Sequence, residues 1–158
     1  MTAVTLVPMS GADYPAFLRS AAEMYADGAA RSGELPRTEA LERAVRDLDA
    51  LLPESWATPS TLLRVVMVGD RRVGHVWVGV RSTGDLQYGW LWDLFVESSE
   101  RGNGYGVAAM RLVEQEARES LGVTEVRLNV FASNRAAVRL YEALGYSTTS
   151  QVMRKVLD

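Results

Sequence analysis

The chain has 158 residues, a net charge of −3 and a 47% share of hydrophobic residues, enough apolar material for the core of a single domain spanning 1–158. With no cysteine and one histidine, His75, it has no disulfide framework, no cysteine nucleophile and no evident set of metal ligands. The mild acidity, with no Lys/Arg run longer than Arg71-Arg72, speaks against a nucleic-acid partner. Met1-Thr2-Ala3-Val4-Thr5 does not read as a leader, and no apolar run approaches the roughly 20 residues of a membrane span, so a cytoplasmic protein is expected.

The first element is a strand over 4–9. Residues 13–30 follow with Tyr14, Phe17, Leu18, Ala21, Ala22 and Tyr25 at helical spacing. Pro36 and Thr38 open a second helix that carries Leu41, Val45, Leu48, Leu51 and Leu52 and ends at Pro53. A hairpin comes next, 61–68 and 73–80 about the turn Gly69-Asp70-Arg71-Arg72. A third arm, 88–96, follows the turn Ser82-Thr83-Gly84-Asp85. Three arms joined by short turns predict an antiparallel meander. The polar, glycine-rich stretch 98–106 leads into a helix over 107–121 that Gly122 stops. A strand over 126–131, a helix from Ser133 or Asn134 to Leu144 stopped by Gly145, and a final strand over 146–157 complete the chain. The fold class is α+β with a strand–loop–helix–strand crossover near its centre.

Arg101-Gly102-Asn103-Gly104-Tyr105-Gly106 lies between a predicted strand and a predicted helix. A helix start presents amides without backbone partners and a partial positive charge, and glycine lets an anion approach the main chain. A flexible turn is the plainer reading of such a loop. The dinucleotide spacing G-x-G-x-x-G fails at Val107, and the triphosphate loop fails because the chain's one lysine is Lys155.

The spacing that fits is R-x-x-G-x-G, at Arg101, Gly104 and Gly106, and one strand later stands Asn134-x-x-Ala137-x-x-Leu140-Tyr141-Glu142-x-x-Gly145-Tyr146. Together these resemble the two hallmark motifs of the GCN5-related N-acetyltransferase (GNAT) superfamily, in particular its small single-domain bacterial members. The likeness covers about residues 60–158. Ser98 stands where many members have proline. The resemblance implies a mixed, mostly antiparallel sheet flanked by helices and splayed at its central strands. It also implies acetyl-CoA as acyl donor, held by the Leu94-Phe95-Val96 main chain, by Arg101, Gly102, Asn103, Gly104, Tyr105 and Gly106, and by Asn134. A small-molecule or peptide amine would be the acceptor, and a homodimer is left open. Tyr141 would be the general acid toward the departing thiolate. The plainer readings are a core tyrosine with a satisfied hydroxyl and, for Asn134, a helix cap.

The attacking amine must lose a proton. Asp93, among Trp90, Leu91, Trp92, Leu94 and Phe95, is a carboxylate in apolar surroundings whose pKa such a setting raises, which suits a base; a structural acceptor at a strand bulge is the equal alternative. His75 reads as an ordinary strand histidine and Glu97 as solvated. Tyr25, Trp56, Trp77, Trp90 and Trp92 are candidate acceptor walls. A non-catalytic acyl-CoA sensor on the same fold is the alternative function.

Overall fold

The structure is a computed structural model that describes residues 3–158; Met1 and Thr2, part of the stretch read as carrying no leader, lie outside the described residues. In chain order it contains β1 (Val4–Pro8), α1 (Tyr14–Ser32), α2 (Arg37–Leu51), β2 (Thr61–Val68), β3 (Arg71–Thr83), β4 (Leu86–Val96), α3 (Tyr105–Glu116), β5 (Val126–Leu128) and α4 (Arg135–Ala143). Short 3-10 turns at Ser55–Ala57 and Ser98–Glu100 precede β2 and α3, and a π turn at Ala117–Leu121 extends α3. Among the described residues no helix is long and apolar enough to cross a membrane.

The strands form one sheet in the order β1-β2-β3-β4-β5, antiparallel except for the parallel pair β4–β5. This is the mixed α+β architecture expected. Alternation along each strand sends side chains to two helical layers. On one face Tyr14, Phe17, Ala44 and Leu48 of α1 and α2 pack on Leu63, Val65 and Trp77. On the other, Met110 and Val113 of α3 pack on Val66, Val76, Val78 and Leu91, with Leu140, Tyr141 and Leu144 of α4 at the margin.

The entry to α1 is tied to the sheet by Asp13. Its carboxylate accepts from the Ser10 amide (3.0 Å), the Ser10 hydroxyl (2.7 Å) and Arg72 Nη1 (2.8 Å). Gly74 on β3 has no room for a side chain, since a Cβ there would run into the Phe95 carbonyl of β4.

Several boundaries differ from expectation. The β2–β3 turn contracts to Gly69-Asp70, with Gly69 at φ 60°, because β3 pairs right up to it. Helix α3 begins at Tyr105, two residues inside the glycine loop, as soon as Gly104 (φ 79°) has turned the chain. Strand β5 stops at Leu128 rather than Phe131, because β4 and β5 diverge there. The largest correction concerns 146–157. These residues form no strand, and Ser147 to Asp158 are all exposed, because no element among the described residues pairs with them.

Candidate active site

The parallel pairing of β4 with β5 lasts three residues, Gly89–Val126, Trp90–Arg127 and Leu91–Leu128. Beyond Leu91, β4 continues to Val96 paired only on its β3 side. The main chain of 92–96 therefore presents hydrogen-bonding groups to a gap rather than to a strand. This is the expected splay, and it brings Leu94, Phe95 and Val96 to its edge. Phe131, just past β5, packs on α1 at Gly28, where a Cβ would lie 2.6 Å from the ring, and against Tyr25 at 6.2 Å. The α1–α2 layer thus reaches over one end of the gap. Two shallow hollows lie away from the gap, one between α1 and α2 beside Leu18, Leu41 and Val45, the other beside β1 and α3.

At the Val96 end stands the glycine loop. Arg101 Nε donates to the Val96 carbonyl at 2.9 Å, and Asn103 Nδ2 donates to the Glu100 carbonyl at 2.9 Å. Both side chains are spent on shaping the turn. Gly102 and Gly104 adopt φ of 81° and 79°, a region that disfavours side chains. A Cβ on either would meet nothing within 4 Å, so both glycines border open space. Gly104 caps α3 without a side-chain bond, and the first intrahelical bond is Ala108 N to the Gly104 carbonyl, 3.1 Å. Among the described residues, no backbone carbonyl accepts from the amides of 102–107. A row of unpaired amides at the start of a 12-residue helix has the donors and the polarity that a pyrophosphate needs. Gly106 serves a different end. A Cβ there would approach Leu140 Cδ1 to 2.9 Å, so this glycine lets α3 and α4 lie close.

The titratable groups come from β3, β4 and α4. His75 is 2% exposed, edge-on to Phe17 and stacked on Phe95, with centroids 5.0 and 5.2 Å apart. Its Nε2 lies 2.6 Å from Asp93 Oδ2. A bulge makes this contact. The β3–β4 register shifts by one residue between Trp77 and Val78, so Trp77 faces Asp93 while Val78 faces Leu91, with Trp92 as the extra residue. Without that shift Asp93 would lie opposite Val76 and point to the α3 side. With it, Asp93 shares a face with His75 and Trp77.

Tyr141 approaches from α4. Burial pushes its phenol well above the usual value of about 10, and the Asp93 carboxylate pushes it the same way. Tyr146 stands edge-on at 5.6 Å, and its own hydroxyl donates to Glu114 Oε1 at 2.7 Å. Among the described residues no such acceptor engages the Tyr141 hydroxyl, which is also not sealed from solvent. Asn134 does cap α4, its Oδ1 accepting from Ala137 N at 3.2 Å, and its Nδ2 is left for another partner.

The aromatic candidates separate. Trp77 is core, Trp56 covers Gly11, and Trp90 with Trp92 flanks the Arg81 guanidinium at 4.8 and 5.5 Å. Glu97 is exposed and outside the cluster. Sequence reading missed the His75–Asp93 pair. The alternative reading of Asp93, an acceptor at a strand bulge, matches the structure; what the residue pattern did not supply was the partner, since the one-residue shift that sets Asp93 on the face of His75 and Trp77 depends on how the two strands meet.

Comparison with known proteins bears on this geometry. The family model of the acetyltransferase (GNAT) family matches residues 30–146. YycN, an uncharacterized N-acetyltransferase of Bacillus subtilis, is 28% identical over 98% of this chain and 99% of its own. Its crystal structure superposes with a TM-score of 0.89 over 98% of both chains. A mycothiol acetyltransferase of Salinispora tropica is 30% identical over 89% of this chain and 43% of its own length. A Clostridium acetobutylicum protein whose structure was determined with acetyl-CoA shares the fold, at 13% identity and a TM-score of 0.66. With a family match across most of its length and this fold, the chain belongs to the GNAT acetyltransferase family.

Proposed function

We propose that the chain, acting as a single domain, transfers an acetyl group from acetyl-CoA to a primary amine by direct attack in a ternary complex. The observation that carries this reading is the convergence on one gap of unpaired loop amides, the unpaired margin of β4, the unengaged Tyr141 hydroxyl and the His75–Asp93 pair. The open space beside Gly102 and Gly104 fits a pyrophosphate, and the β4 margin fits the amide-bearing arm that follows it in coenzyme A. When bound, the thioester supplies an activated acetyl group and a thiol leaving group.

In this scheme the amides of Gly102 to Val107 hold the pyrophosphate, with Arg101 and Asn103 bracing the loop. Leu94 to Val96 align the arm through their main chain, and the free Nδ2 of Asn134 gives it a further donor. Asp93 takes the proton that the amine loses as its nitrogen bonds to the carbonyl carbon. His75 positions Asp93: a hydrogen bond between two strands, clamped by Phe17 and Phe95, fixes the carboxylate. Tyr141 faces the sulfur as the carbon–sulfur bond breaks. Its phenol stays protonated through the working pH range, so it donates a hydrogen bond to the thiolate; full transfer to a thiolate whose acid has a pKa of about 8.5 runs uphill. With no cysteine in the chain, the acyl group passes without an enzyme-thioester stage.

The test is a thiol-release assay with acetyl-CoA against amines of several classes, alongside calorimetric titration of the cofactor. Release with at least one amine is expected. Binding with no release on any amine would replace this reading with an acyl-CoA-binding module, and no binding would remove both.

A further inference from the structure

The face of the sheet that carries Asp93 also carries a cation with no counter-charge among the described residues. Trp77, Gly79 and Arg81 follow one another at strand parity on β3, and Trp77 packs in the α1–α2 layer. Trp90 lies opposite Gly79. The indole of Trp92, the bulge residue, lies over the same glycine, where a Cβ would be 3.2 Å from its Nε1. The Arg81 guanidinium stands 4.8 Å from the Trp90 ring centroid and 5.5 Å from that of Trp92. Both indoles are half-buried, and Arg81 is exposed. Among the described residues no carboxylate lies within ion-pair distance of Arg81. Arg127, across β4 and over the Tyr88 ring, is by contrast paired with Glu125.

Contact with two indoles holds a guanidinium in place, at a gain of about 0.5–1 kcal/mol per exposed ring. It leaves the in-plane N–H fork unused, and that fork matches the two oxygens of a carboxylate. An aliphatic side chain would cover the indoles equally well; only the held fork adds anion recognition. Its position gives it a use. Trp92 is the residue at which β4 loses its β5 partner, and Asp93 follows it. The guanidinium therefore lies on the approach to the gap, on the face opposite α3. A negative group at Asp93 and a positive one at Arg81 mark the two ends of this approach. Arg81 is four residues from Trp77, which faces Asp93, a separation of roughly 13 Å along the strand. With a hydrogen bond of about 3 Å at each end, roughly 7 Å remains, the length of two extended residues. A free α-amino acid, with its amine and carboxylate on one carbon, is too short to engage both.

We propose that Arg81 is the anion-binding residue of the acceptor site, and that the acceptor is a short, peptide-like amine with a carboxylate about two residues from the reacting nitrogen. The inference rests on the acetyl transfer proposed above and names its acceptor class. The amine lies at Asp93, the acceptor chain runs along Trp92 and Trp90, and the carboxylate takes the Arg81 fork. A C-terminus and an acidic side chain at that distance present the same two oxygens.

Three probes test this: trialanine, its C-terminal amide, and the C-terminal amide of the peptide Ala-Asp-Ala. In the full chain with coenzyme A bound, the Arg81 Nε–Hε resonance is assigned by its loss in Arg81→Gln. It should shift with at least one carboxylate-bearing peptide and stay fixed with trialanine amide. Which peptide shifts it tells a C-terminal carboxylate from a side-chain one. In thiol release from acetyl-CoA, kcat/KM should favour that peptide over trialanine amide by about tenfold or more, the range of a charge-assisted hydrogen bond. Arg81→Gln should bring this ratio near one, and Arg81→Lys, which keeps the charge without the fork, should leave it between the two. No shift with either carboxylate peptide at millimolar concentration, an equal shift with the amide, or release indifferent to the carboxylate overturns the proposal and leaves acetyl transfer standing. A selective shift with no release on any amine supports the anion site at Arg81 and removes the transfer.

Discussion

Asp93 and Tyr141 approach the gap from opposite faces of the sheet, and the charge of the first acts on the phenol of the second. The carboxylate adds to burial in holding the phenol protonated, so Asp93→Asn should lower the Tyr141 pKa toward its ordinary value, measurable by NMR titration with labelled tyrosine. No movement would mean the two groups do not share a site. Tyr141→Phe should reduce turnover about 10²-fold, in the range of a lost hydrogen bond to a developing anion, with cofactor affinity changed little; equal loss of both would mark Tyr141 as structural. Asp13 belongs to stability rather than chemistry. Its pKa is depressed, first by the Ser10 amide, then by the Ser10 hydroxyl and by Arg72. A carboxyl depressed in the folded state stabilises fully above its unfolded pKa of about 3.9 and loses that contribution as pH falls through its folded value. Asp13→Asn should therefore lower the melting temperature at neutral pH, by the equivalent of about 1 kcal/mol, and have little effect once pH is below the folded value. A loss that persists in acid would point to a cause other than charge.

At the scale of elements, the register of β3 and β4 makes the His75–Asp93 contact. Gly74 lets the backbones meet opposite Val96. Gly74→Ala should push Phe95 and Val96 aside at a cost of roughly 1–3 kcal/mol and should weaken acetyl-CoA binding as well; a stability loss with unchanged cofactor affinity would show that the β4 margin does not hold the arm. The same two strands show what sequence could and could not convey. The meander, the helices and the glycine loop were legible, because alternation, helical spacing and glycine punctuation are local signals. The loop and α4 motifs single out Arg101 to Gly106, Asn134 and Tyr141 as candidates; the fold sets the loop at the Val96 end of the gap and Tyr141 within reach of the Asp93 charge. The His75–Asp93 pair was not legible, since it depends on one extra residue at Trp92 in β4, and a bulge depends on how two strands meet. The end of β5 at Leu128 was hidden for the same reason, because divergence is a property of the pair. Residues 146–157 have strand composition but lack a strand partner within the chain, and composition alone cannot supply one.

For the molecule as a whole, the sheet is broken on its β5 side in two ways, by the gap beyond Leu91 and by the bare outer edge. In the reading above a cofactor arm fills the gap. Acetyl-CoA should then raise the melting temperature, by the equivalent of about 2.7 kcal/mol at a hundredfold excess over its dissociation constant; no rise at saturating cofactor would remove the gap as its site. The gap also has a kinetic signature. Those amides of residues 92–96 that face it have no protein acceptor to protect them, so in the free protein they should exchange with deuterium as fast as surface loops despite lying in a central strand. They should slow sharply once coenzyme A is present, while their neighbours bonded to β3 stay protected throughout.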